Sequence, residues 1–244
     1  MRADVLLVER GLAPSRTAAQ RLIAGGHVFA RDGSARVALT KPSVSVADGV
    51  ALEVEASDLD RFVSRGGLKL DGALSHVGLD VSGLNCLDVG QSTGGFTDCL
   101  LQRGARHVVG VDVGHDQLHA QIRTDARVTC LEGVNARVLA NIGEPFDLIV
   151  ADVSFISLTK VLPQWPALLR PGGHVLSLVK PQFEVGADNL ARGGIVRDVS
   201  LYSTVEAAIR AACAQVGLNV LEYFDSPITG TDGNREFFVY AEAV

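Results

Sequence analysis

The segment from Leu87 to Asp98 holds the residues of this 244-residue chain that are best placed to bind a ligand. An apolar run, Leu84–Val89, predicts a strand that ends at a turn rich in glycine, and a helix-forming run then extends to Gln102. Glycines at a strand-to-helix turn let the backbone approach a ligand closely, and the N-terminus of the helix offers unpaired N–H donors. This arrangement favours a nucleotide-like cofactor.

Three kinds of cofactor site share this arrangement. A phosphate-binding P-loop needs a lysine after its last glycine, and none follows Gly95. The dinucleotide fingerprint Gly-x-Gly-x-x-Gly differs by one residue from the spacing of Gly90, Gly94 and Gly95. The third option is S-adenosylmethionine, because Asp112 at the end of the second predicted strand can accept both ribose hydroxyls and Asp88 would favour a cationic amino group. The spacing therefore favours a methyltransferase, with nicotinamide binding as the main alternative.

The residues predicted to bind S-adenosylmethionine are Asp88, Gly90, Ser92, Thr93, Gly94, Gly95, Phe96, Asp112, Val113, Asn135 and Asp152. Asn135 follows the third predicted strand, where it is placed to meet the edge of the adenine. For Asp88 and Asp112, the alternative is that either one is an ordinary polar residue at a strand end.

The elements that would position these residues alternate from Leu84 onward. The predicted strands are Leu84–Val89, Val108–Asp112, Val128–Leu131, Leu148–Asp152, His174–Val179, Val220–Asp225 and Phe237–Ala241. The predicted helices between them are Thr97–Gln102, Gln117–Arg123, Leu158–Leu168 and Ser200–Gln215. This alternation predicts an α/β fold of the Rossmann-like, doubly wound class, with a seven-stranded and mostly parallel sheet. No helix fits between the last two strands, so this pair is expected to be antiparallel.

The first part of the chain predicts a small α+β module. A helix over residues 5–12 ends at Gly11, and Ser15 is a predicted N-cap for a second helix, Arg16–Ala24. Short strands are predicted at His27–Ala30 and within Val44–Val54, with turns at 31–33 and 48–49. We assign residues 1–59 to this module, 60–63 to a linker and 64–244 to the larger domain, which begins with a helix to about His76.

Charge is spread unevenly over the two modules. The net charge is −6, yet residues 1–41 hold seven Lys and Arg against three acidic residues, so they carry +4 and the remainder carries −10. A basic module on an acidic body indicates a local binding surface for a polyanion rather than general coating of nucleic acid.

Composition narrows the class of protein further. With 47% hydrophobic and 20% charged residues, the chain can bury a sizeable core. No apolar run is long enough to cross a bilayer and the N-terminus is not a secretory signal, so we expect a cytoplasmic protein without membrane contact. The four cysteines lack CxxC spacing and are expected to be reduced thiols. His115 and His119 lack a third ligand, so no metal site is expected.

The N-terminal module resembles the alpha-L RNA-binding motif of small-subunit ribosomal protein four. The similarity lies in Leu12-Ala13-Pro14-Ser15-Arg16 and in Leu22-Ile23-Ala24-Gly25-Gly26-His27-Val28. The resemblance implies docking on structured RNA through phosphate contacts. The predicted RNA-binding residues are Arg16, Arg21, Arg31 and Lys41, with Arg61 and Arg65 at the start of the larger domain. The alternative is an interaction domain whose arginines are only solvated.

Nearly the whole chain resembles the hemolysin A/TlyA family, which joins an alpha-L domain to an FtsJ-type (RrmJ-like) methyltransferase domain. The motifs that match are 63–70, 90–98, 152–157, 179–184 and 233–237. The family implies S-adenosylmethionine-dependent 2′-O-methylation of cytidine ribose in ribosomal RNA within ribosomal subunits. Gln91 departs from the small residue expected there, and it could narrow the cofactor pocket.

The resemblance also implies a catalytic tetrad of Lys69, Asp152, Lys180 and Glu236. Methyl transfer to a hydroxyl needs alignment and proton removal, and a lysine can be the base where burial and a nearby cation suppress its charge. We expect Lys180 to take the 2′-hydroxyl proton, with Lys69 and Asp152 setting its charge and orientation. Glu236 would hold Lys69 or the target ribose. For each residue alone, a surface salt bridge is the alternative.

Two other functions compete with the methyltransferase. An RNA-binding protein that had lost activity should show decay of the tetrad, yet all four positions are intact. A membrane-active hemolysin has little support, because the sequence shows no spanning segment or strongly amphipathic cationic helix. Members with shorter termini tend to modify large-subunit RNA alone, so we expect 23S RNA as the substrate, with 16S RNA as a further possibility.

Overall fold

The computed structural model describes residues 1–13, 15–33, 35–47, 49–55, 61–139, 142–230 and 233–244. Over this part of the chain, two compact units form, Met1–Asp60 and Arg61–Val244. Residues 61–63, predicted to belong to a linker, lie in the second unit. Phe62 is buried in the core of that unit, and the backbone N–H of Val63 donates to Asp98 Oδ2 at 2.8 Å.

The first unit packs two helices against a small antiparallel sheet. Its helices are α1 (Ala3–Glu9) and α2 (Arg16–Ala24), and its strands are β1 (Val28–Asp32), β2 (Ala35–Ala38) and β3 (Ala51–Val54). The strand order in the described residues is β2-β1-β3. Ser15 caps α2 as predicted, because its Oγ accepts a hydrogen bond from the N–H of Ala18 at 3.2 Å.

The hairpin of the first unit differs from the prediction. β1 continues to Asp32, where a turn was expected, and pairs with β2, which the sequence did not indicate. All four residues of β2 are exposed, so no apolar alternation marks this strand. Of the short strands predicted within Val44–Val54, only β3 forms in the described residues, while Ser45 bridges Arg2 and Val46 N–H donates to the carbonyl of Met1. Asp48 of the predicted turn lies outside the described residues.

The second unit is built on a sheet of seven strands in the described part of the chain, in the order β6-β5-β4-β7-β8-β10-β9. The strands are β4 (Asn85–Val89), β5 (His107–Asp112), β6 (Val128–Glu132), β7 (Phe146–Ala151), β8 (Leu169–Val179), β9 (Leu218–Asp225) and β10 (Phe237–Ala243). β4 to β8 run parallel, and β10 is antiparallel to both β8 and β9. The predicted Rossmann-like fold and the antiparallel final pair are therefore confirmed.

Helices cover both faces of this sheet, and each face has its own apolar core. The helices are α3 (Gly66–Val77), α4 (Gly95–Gln102), α5 (Ala120–Arg123) and α6 (Leu201–Gln215). α3 and α4 bury Leu70, Leu74 and Leu100 on one face. On the other face, α6 buries Val205 and Ile209 in a cluster with Trp165. Apolar strands buried on both faces are typical of parallel sheets, and they fix the strand ends that carry the polar residues.

Two predicted helices are shorter or of another type. Residues 158–168 form successive 3₁₀ turns at Leu158–Lys160, Leu162–Gln164 and Pro166–Leu168 instead of one α-helix. Pro163 and Pro166 lack a backbone N–H and so interrupt the hydrogen-bond ladder of an α-helix. The helix predicted at Gln117–Arg123 is reduced to α5.

The start of α3 is packed against Phe62 so closely that residue 67 must be glycine. A Cβ at Gly67 would lie 2.3 Å from Cγ of the Phe62 ring. We expect Gly67→Ala to lower the free energy of unfolding of the second unit by about 1–3 kcal/mol, as for other overpacked cores. Urea denaturation followed by the fluorescence of Trp165, the single tryptophan, measures this quantity.

The neighbouring Gly66 is the matched control. Its added Cβ would approach nothing closer than 3.4 Å, which is ordinary contact. Gly66→Ala should leave the free energy of unfolding unchanged or raise it slightly, since alanine favours a helix over glycine. Equal stabilities of the two variants would contradict the packing at Phe62.

Candidate active site

A cavity of about 590 Å³ lies at the carboxyl ends of β4, β5 and β7. The predicted cofactor residues that line it are Gly90, Ser92, Asp112, Val113, Asn135 and Asp152. A smaller cavity of about 160 Å³ shares Gly90, Ser92, Asp152 and Ser154 with it. The smaller cavity is also lined by Thr93, Gly95, Phe96 and Lys180. The structure thus gathers most of the predicted cofactor residues around one space and brings Lys180 to its edge.

Gly90 allows the turn after β4 to pass directly against the loop after β7. Its φ is +86°, and a Cβ would lie 2.8 Å from the carbonyl oxygen of Asp152. The N–H of Asp152 in turn donates to the carbonyl of Val89 at 3.0 Å. A side chain at position 90 would therefore separate the two loops that form the wall of both cavities.

Asp112 is held in place by backbone donors. Its Oδ2 accepts from the N–H of Ser92 at 2.8 Å, and its Oδ1 accepts from the N–H of Gly114 at 2.7 Å. A carboxylate oxygen can accept more than one hydrogen bond, so each oxygen retains acceptor capacity after these contacts. Asp112 is thereby oriented at the cavity wall, with room to accept from a ligand.

Asp88 and Gly94 are the predicted cofactor residues that line neither cavity. Asp88 is fully buried below the turn, where its Oδ2 accepts from Thr97 Oγ1 at 2.7 Å. Its Oδ1 has no hydrogen-bond partner among the described residues. Burial raises the pKa of Asp88 to about 7, against the lowering effect of the Thr97 hydroxyl. The sequence placed an acidic residue correctly at a strand end but did not reveal its depth.

Gln91 is folded inward. Its Nε2 donates to Thr97 Oγ1 at 2.9 Å, and so extends the hydrogen-bond chain that reaches Asp88. The amide group lies over Gly110, where an added Cβ would be 2.0 Å from the Gln91 side chain. Gln91 lines the smaller cavity only, so the narrowing that we expected from this residue does not concern the larger cavity.

The four residues of the predicted tetrad form a pair of lysine–carboxylate contacts. Lys69 Nζ lies 2.5 Å from Glu236 Oε2, and both side chains are buried. Lys180 Nζ lies 2.6 Å from Asp152 Oδ1 and donates to Ser154 Oγ at 2.8 Å. Burial raises the pKa of Glu236, whereas the charges of Lys69 and Lys180 lower it. The structure therefore brings together all four side chains in one electrostatic cluster.

Strand pairing explains this convergence. Asp152 directly follows β7, Lys180 directly follows β8, and Glu236 directly precedes β10. β10 runs antiparallel to β8, and its first residue, Phe237, lies opposite the last residue of β8, Val179. Glu236, just before β10, and Lys180, just after β8, therefore lie at the same edge of the sheet. Lys69 reaches this edge from the first turn of α3.

Ser154 and Phe155 are site residues that reasoning from the sequence missed. Ser154 lines both cavities and contacts Lys180. Phe155 lines the larger cavity, is 91% exposed and has a φ of +63°. Positive φ is unusual for an aromatic residue, and nothing in the residue type signals it. Two signals were available, the adjacency of both residues to a predicted strand end and their place in the family motif at 152–157.

Comparison with known proteins decides the family. The family model of FtsJ-like methyltransferases matches residues 62–243, and the model of the S4 domain matches residues 1–29. The chain belongs to the FtsJ-like methyltransferase family. It is a methyltransferase with an S4 domain at its N-terminus, and the predicted enzyme class is confirmed.

Individual relatives agree with this assignment. The 16S/23S rRNA (cytidine-2′-O)-methyltransferase TlyA of Mycobacterium tuberculosis is 44% identical over 241 residues, which cover 98% of this chain and 88% of that protein. Hemolysin A of Brachyspira hyodysenteriae is 37% identical, with 98% and 99% covered. A solved hemolysin-like protein from Streptococcus thermophilus is 39% identical, with a TM-score of 0.76 and coverage of 100% and 88%. The predicted resemblance to the TlyA/hemolysin A family is confirmed.

The residues predicted to contact RNA differ in whether an acidic residue of the protein already pairs with them. In the first unit, Arg16 pairs with the buried Asp4 at 3.1 Å and Arg31 pairs with Glu53. Arg21 and Lys41 have no ion-pair partner among the described residues.

The two candidates in the methyltransferase domain are both engaged. Arg61 pairs with Asp71 at 2.7 Å, and Arg65 Nη2 donates to the carbonyl of Thr229 at 3.2 Å. Of the six candidates, Arg21, Lys41 and Arg65 are therefore the cations that no described acidic residue neutralises, and Arg65 is engaged by a backbone carbonyl.

The described residues show neither a metal-binding cluster nor a membrane-spanning helix. They contain no group of three or more His, Cys, Asp or Glu side chains placed to hold a metal ion. None of their helices is both long enough and apolar enough to span a bilayer.

The raised pKa of Asp88 makes stability depend on pH. Because this pKa is about 7 in the folded protein and about 4 in an unfolded chain, the folded state loses stability as pH rises from 4 to 7. Asp88→Asn keeps an acceptor for Thr97 and cannot ionise. We expect the free energy of unfolding of the natural protein, relative to this variant, to fall by about 3 kcal/mol over that range in denaturation experiments.

Asp225 provides the control, because Arg235 lowers its pKa on the surface of the methyltransferase domain. The stability that Asp225 contributes is lost only as pH falls below about 4. Asp225→Asn should therefore show no comparable trend between pH 4 and 7. A difference for Asp88→Asn that does not vary with pH would contradict the buried, protonatable carboxyl group.

Proposed function

We propose that the protein transfers a methyl group from S-adenosylmethionine to the 2′-hydroxyl of a cytidine in ribosomal RNA. The observation that carries this proposal is the pair of lysine–carboxylate contacts beside the cavity, Lys180 with Asp152 and Lys69 with Glu236. A relative that aligns with 98% of this chain and 88% of its own length is named a 16S/23S rRNA (cytidine-2′-O)-methyltransferase. That name supports both the reaction and the substrate.

The larger cavity fits S-adenosylmethionine. Its volume of about 590 Å³ lies in the range of small-molecule sites, and it sits at the carboxyl ends of parallel strands. Asp112 retains acceptor capacity for the ribose hydroxyls, and Asn135 lies at the wall for the adenine edge. When bound, this cofactor supplies an activated methyl group. Asp88 acts below the turn, where it supports Thr97 and Gln91 rather than touching the ligand.

Lys180 is the general base of the proposed reaction. It lines the smaller cavity, and its Nζ is oriented by Asp152 and Ser154. Only the uncharged amine can act as a base, so Lys180 must release its ammonium proton before it accepts the proton of the 2′-hydroxyl. Glu236 holds Lys69 in place. These residues align the 2′-hydroxyl and accept its proton, so no metal is needed for this step.

Phe155 is suited to hold the target nucleotide. Its exposed ring lies beside Ser154 on the wall of the larger cavity, and it contacts the ring of Phe183. A base withdrawn from an RNA helix gains from stacking on such a ring. Stacking alone does not select cytidine, because every base has a face that can stack.

Mapping of ribose methylation on 16S and 23S RNA tests the function. We expect purified protein with S-adenosylmethionine to add a 2′-O-methyl group to a cytidine in ribosomal subunits. Lys180→Ala should lower the rate of transfer about 10²–10⁴-fold, which is the usual contribution of a general base. Calorimetric titration should show that this variant still binds S-adenosylmethionine.

Lys160 supplies the matched control, since it is an exposed lysine on a 3₁₀ turn of the same domain. Lys160→Ala should transfer methyl groups at the rate of the natural protein. Full activity of Lys180→Ala would remove Lys180 from the base role. Absence of methylation by the natural protein would favour the alternative of an RNA-binding protein without activity.

The S4 domain should contact RNA phosphates through its unpaired cations. We expect Arg21→Ala and Lys41→Ala each to weaken binding to ribosomal subunits and to reduce the slope of log affinity against log salt by about 0.7–0.9, the value of one phosphate contact. Filter binding at several salt concentrations measures this slope.

Arg31→Ala is the comparison variant, because Arg31 is neutralised by Glu53, which also pairs with Arg36. This variant should leave the salt slope nearly unchanged. An equal loss of slope in all three variants would show that ion pairing within the domain does not decide which cations meet the RNA.

A further inference from the structure

The loops that follow β7 and β8 are joined at three successive levels. At the first level, Lys180 contacts Asp152 and Ser154. At the second level, the ring centroids of Phe155 and Phe183 lie 5.2 Å apart. The third level is formed by the residue that follows Phe183. The three contacts follow one another in sequence along both loops. A displacement at one contact is therefore expected to move the residues of the next contact.

Glu184 forms the third level. Its Oε2 accepts from Ser157 Oγ at 2.6 Å, and its Oε1 accepts from the N–H of Leu158 at 2.7 Å. Burial raises the pKa of Glu184, while these two donors lower it. Both carboxylate oxygens are thus committed to the loop after β7. Glu184 is half-buried, so water replaces these contacts only in part and their loss weakens the hold on both donors.

The loop that Glu184 holds needs external support. Phe155 adopts a φ of +63° and is 91% exposed, so the contact of its ring with Phe183 buries too little surface to hold that conformation alone. Strained residues of this kind persist only where the surrounding contacts determine their geometry. Lys180 supplies such contacts on the N-terminal side of Phe155, through Ser154, and Glu184 supplies them on the C-terminal side, through Ser157.

We propose that Glu184 is a positioning residue for methyl transfer, whose carboxylate holds the loop 152–158 so that Asp152 and Ser154 stay against Lys180 and Phe155 stays at the cavity. Glu184 lines neither cavity, so it acts through these residues rather than on the ligands. Small displacements of aligned groups reduce catalytic rates strongly, because alignment is the main task of the protein in this reaction. The inference rests on the proposed function.

The first test compares two substitutions in the full-length protein with saturating S-adenosylmethionine and ribosomal subunits. Glu184→Ala removes both acceptors, and we expect kcat to fall at least tenfold while the melting temperature shows that the variant is folded. Glu184→Gln can accept from the N–H of Leu158 and donate to Ser157 Oγ, so we expect its kcat to stay within threefold of the natural protein. A structural role alone would lower the melting temperature without this difference in kcat.

Ser157→Ala removes one of the two contacts and should give an intermediate kcat. Combined with Glu184→Ala, it should add little further loss, because both substitutions break the same contact. Glu206→Ala is the control, since Glu206 pairs with Arg210 on the surface of α6 and should leave kcat unchanged. The inference is overturned if Glu184→Ala keeps kcat within threefold, or if Glu184→Gln loses as much activity as Glu184→Ala.

Hydrogen exchange separates failure of this inference from failure of the proposed function. In Glu184→Ala, the amides of residues 153–159 should exchange faster than in the natural protein and in Glu206→Ala. This readout needs no methyl transfer, so it decides the positioning role even if the natural protein does not methylate ribosomal subunits. Unchanged exchange in this segment would overturn the inference.

Discussion

The site depends on the burial of Lys69 and Glu236 as a pair beside Lys180 and Asp152. Burying a charge costs several kcal/mol unless a partner compensates it, and loss of one partner leaves the other exposed to that cost. The pairing therefore ties α3 to the start of β10, and the ends of β7 and β8 to each other. The strand ends must therefore lie where they do for two reasons. The apolar core needs the strands side by side, and the buried charges need their partners within contact distance.

Features that follow from local patterns were predictable from the sequence. The apolar runs of β4, β5 and β7 identified a parallel sheet, and the sheet alone implied that Asp112, Asp152 and Lys180 would meet at one edge. The helix predicted at 158–168 failed because its apolar content outweighed Pro163 and Pro166 in the prediction. The exposed strand β2 has no apolar alternation, so only its pairing with β1 reveals it.

Other features depend on contacts between distant segments, which no local pattern records. The partners Lys69 and Glu236 are separated by 167 residues and could be proposed only from the family resemblance. Asp88 and Asp112 have the same residue type and similar positions at strand ends, yet one is buried under the turn and the other lies at the cavity wall. The difference arises from Thr97 and Gln91, which cover Asp88.

The placement of the Gln91 amide over Gly110 restricts which residues the domain can accept at position 110. Any residue larger than glycine at position 110 would overlap a side chain that is itself hydrogen-bonded to Thr97. A larger residue at position 110 therefore requires either that the Gln91 amide moves away from Thr97 or that a smaller residue stands at position 91. A change in β5 at Gly110 thus disturbs the turn after β4, because the two positions share this space.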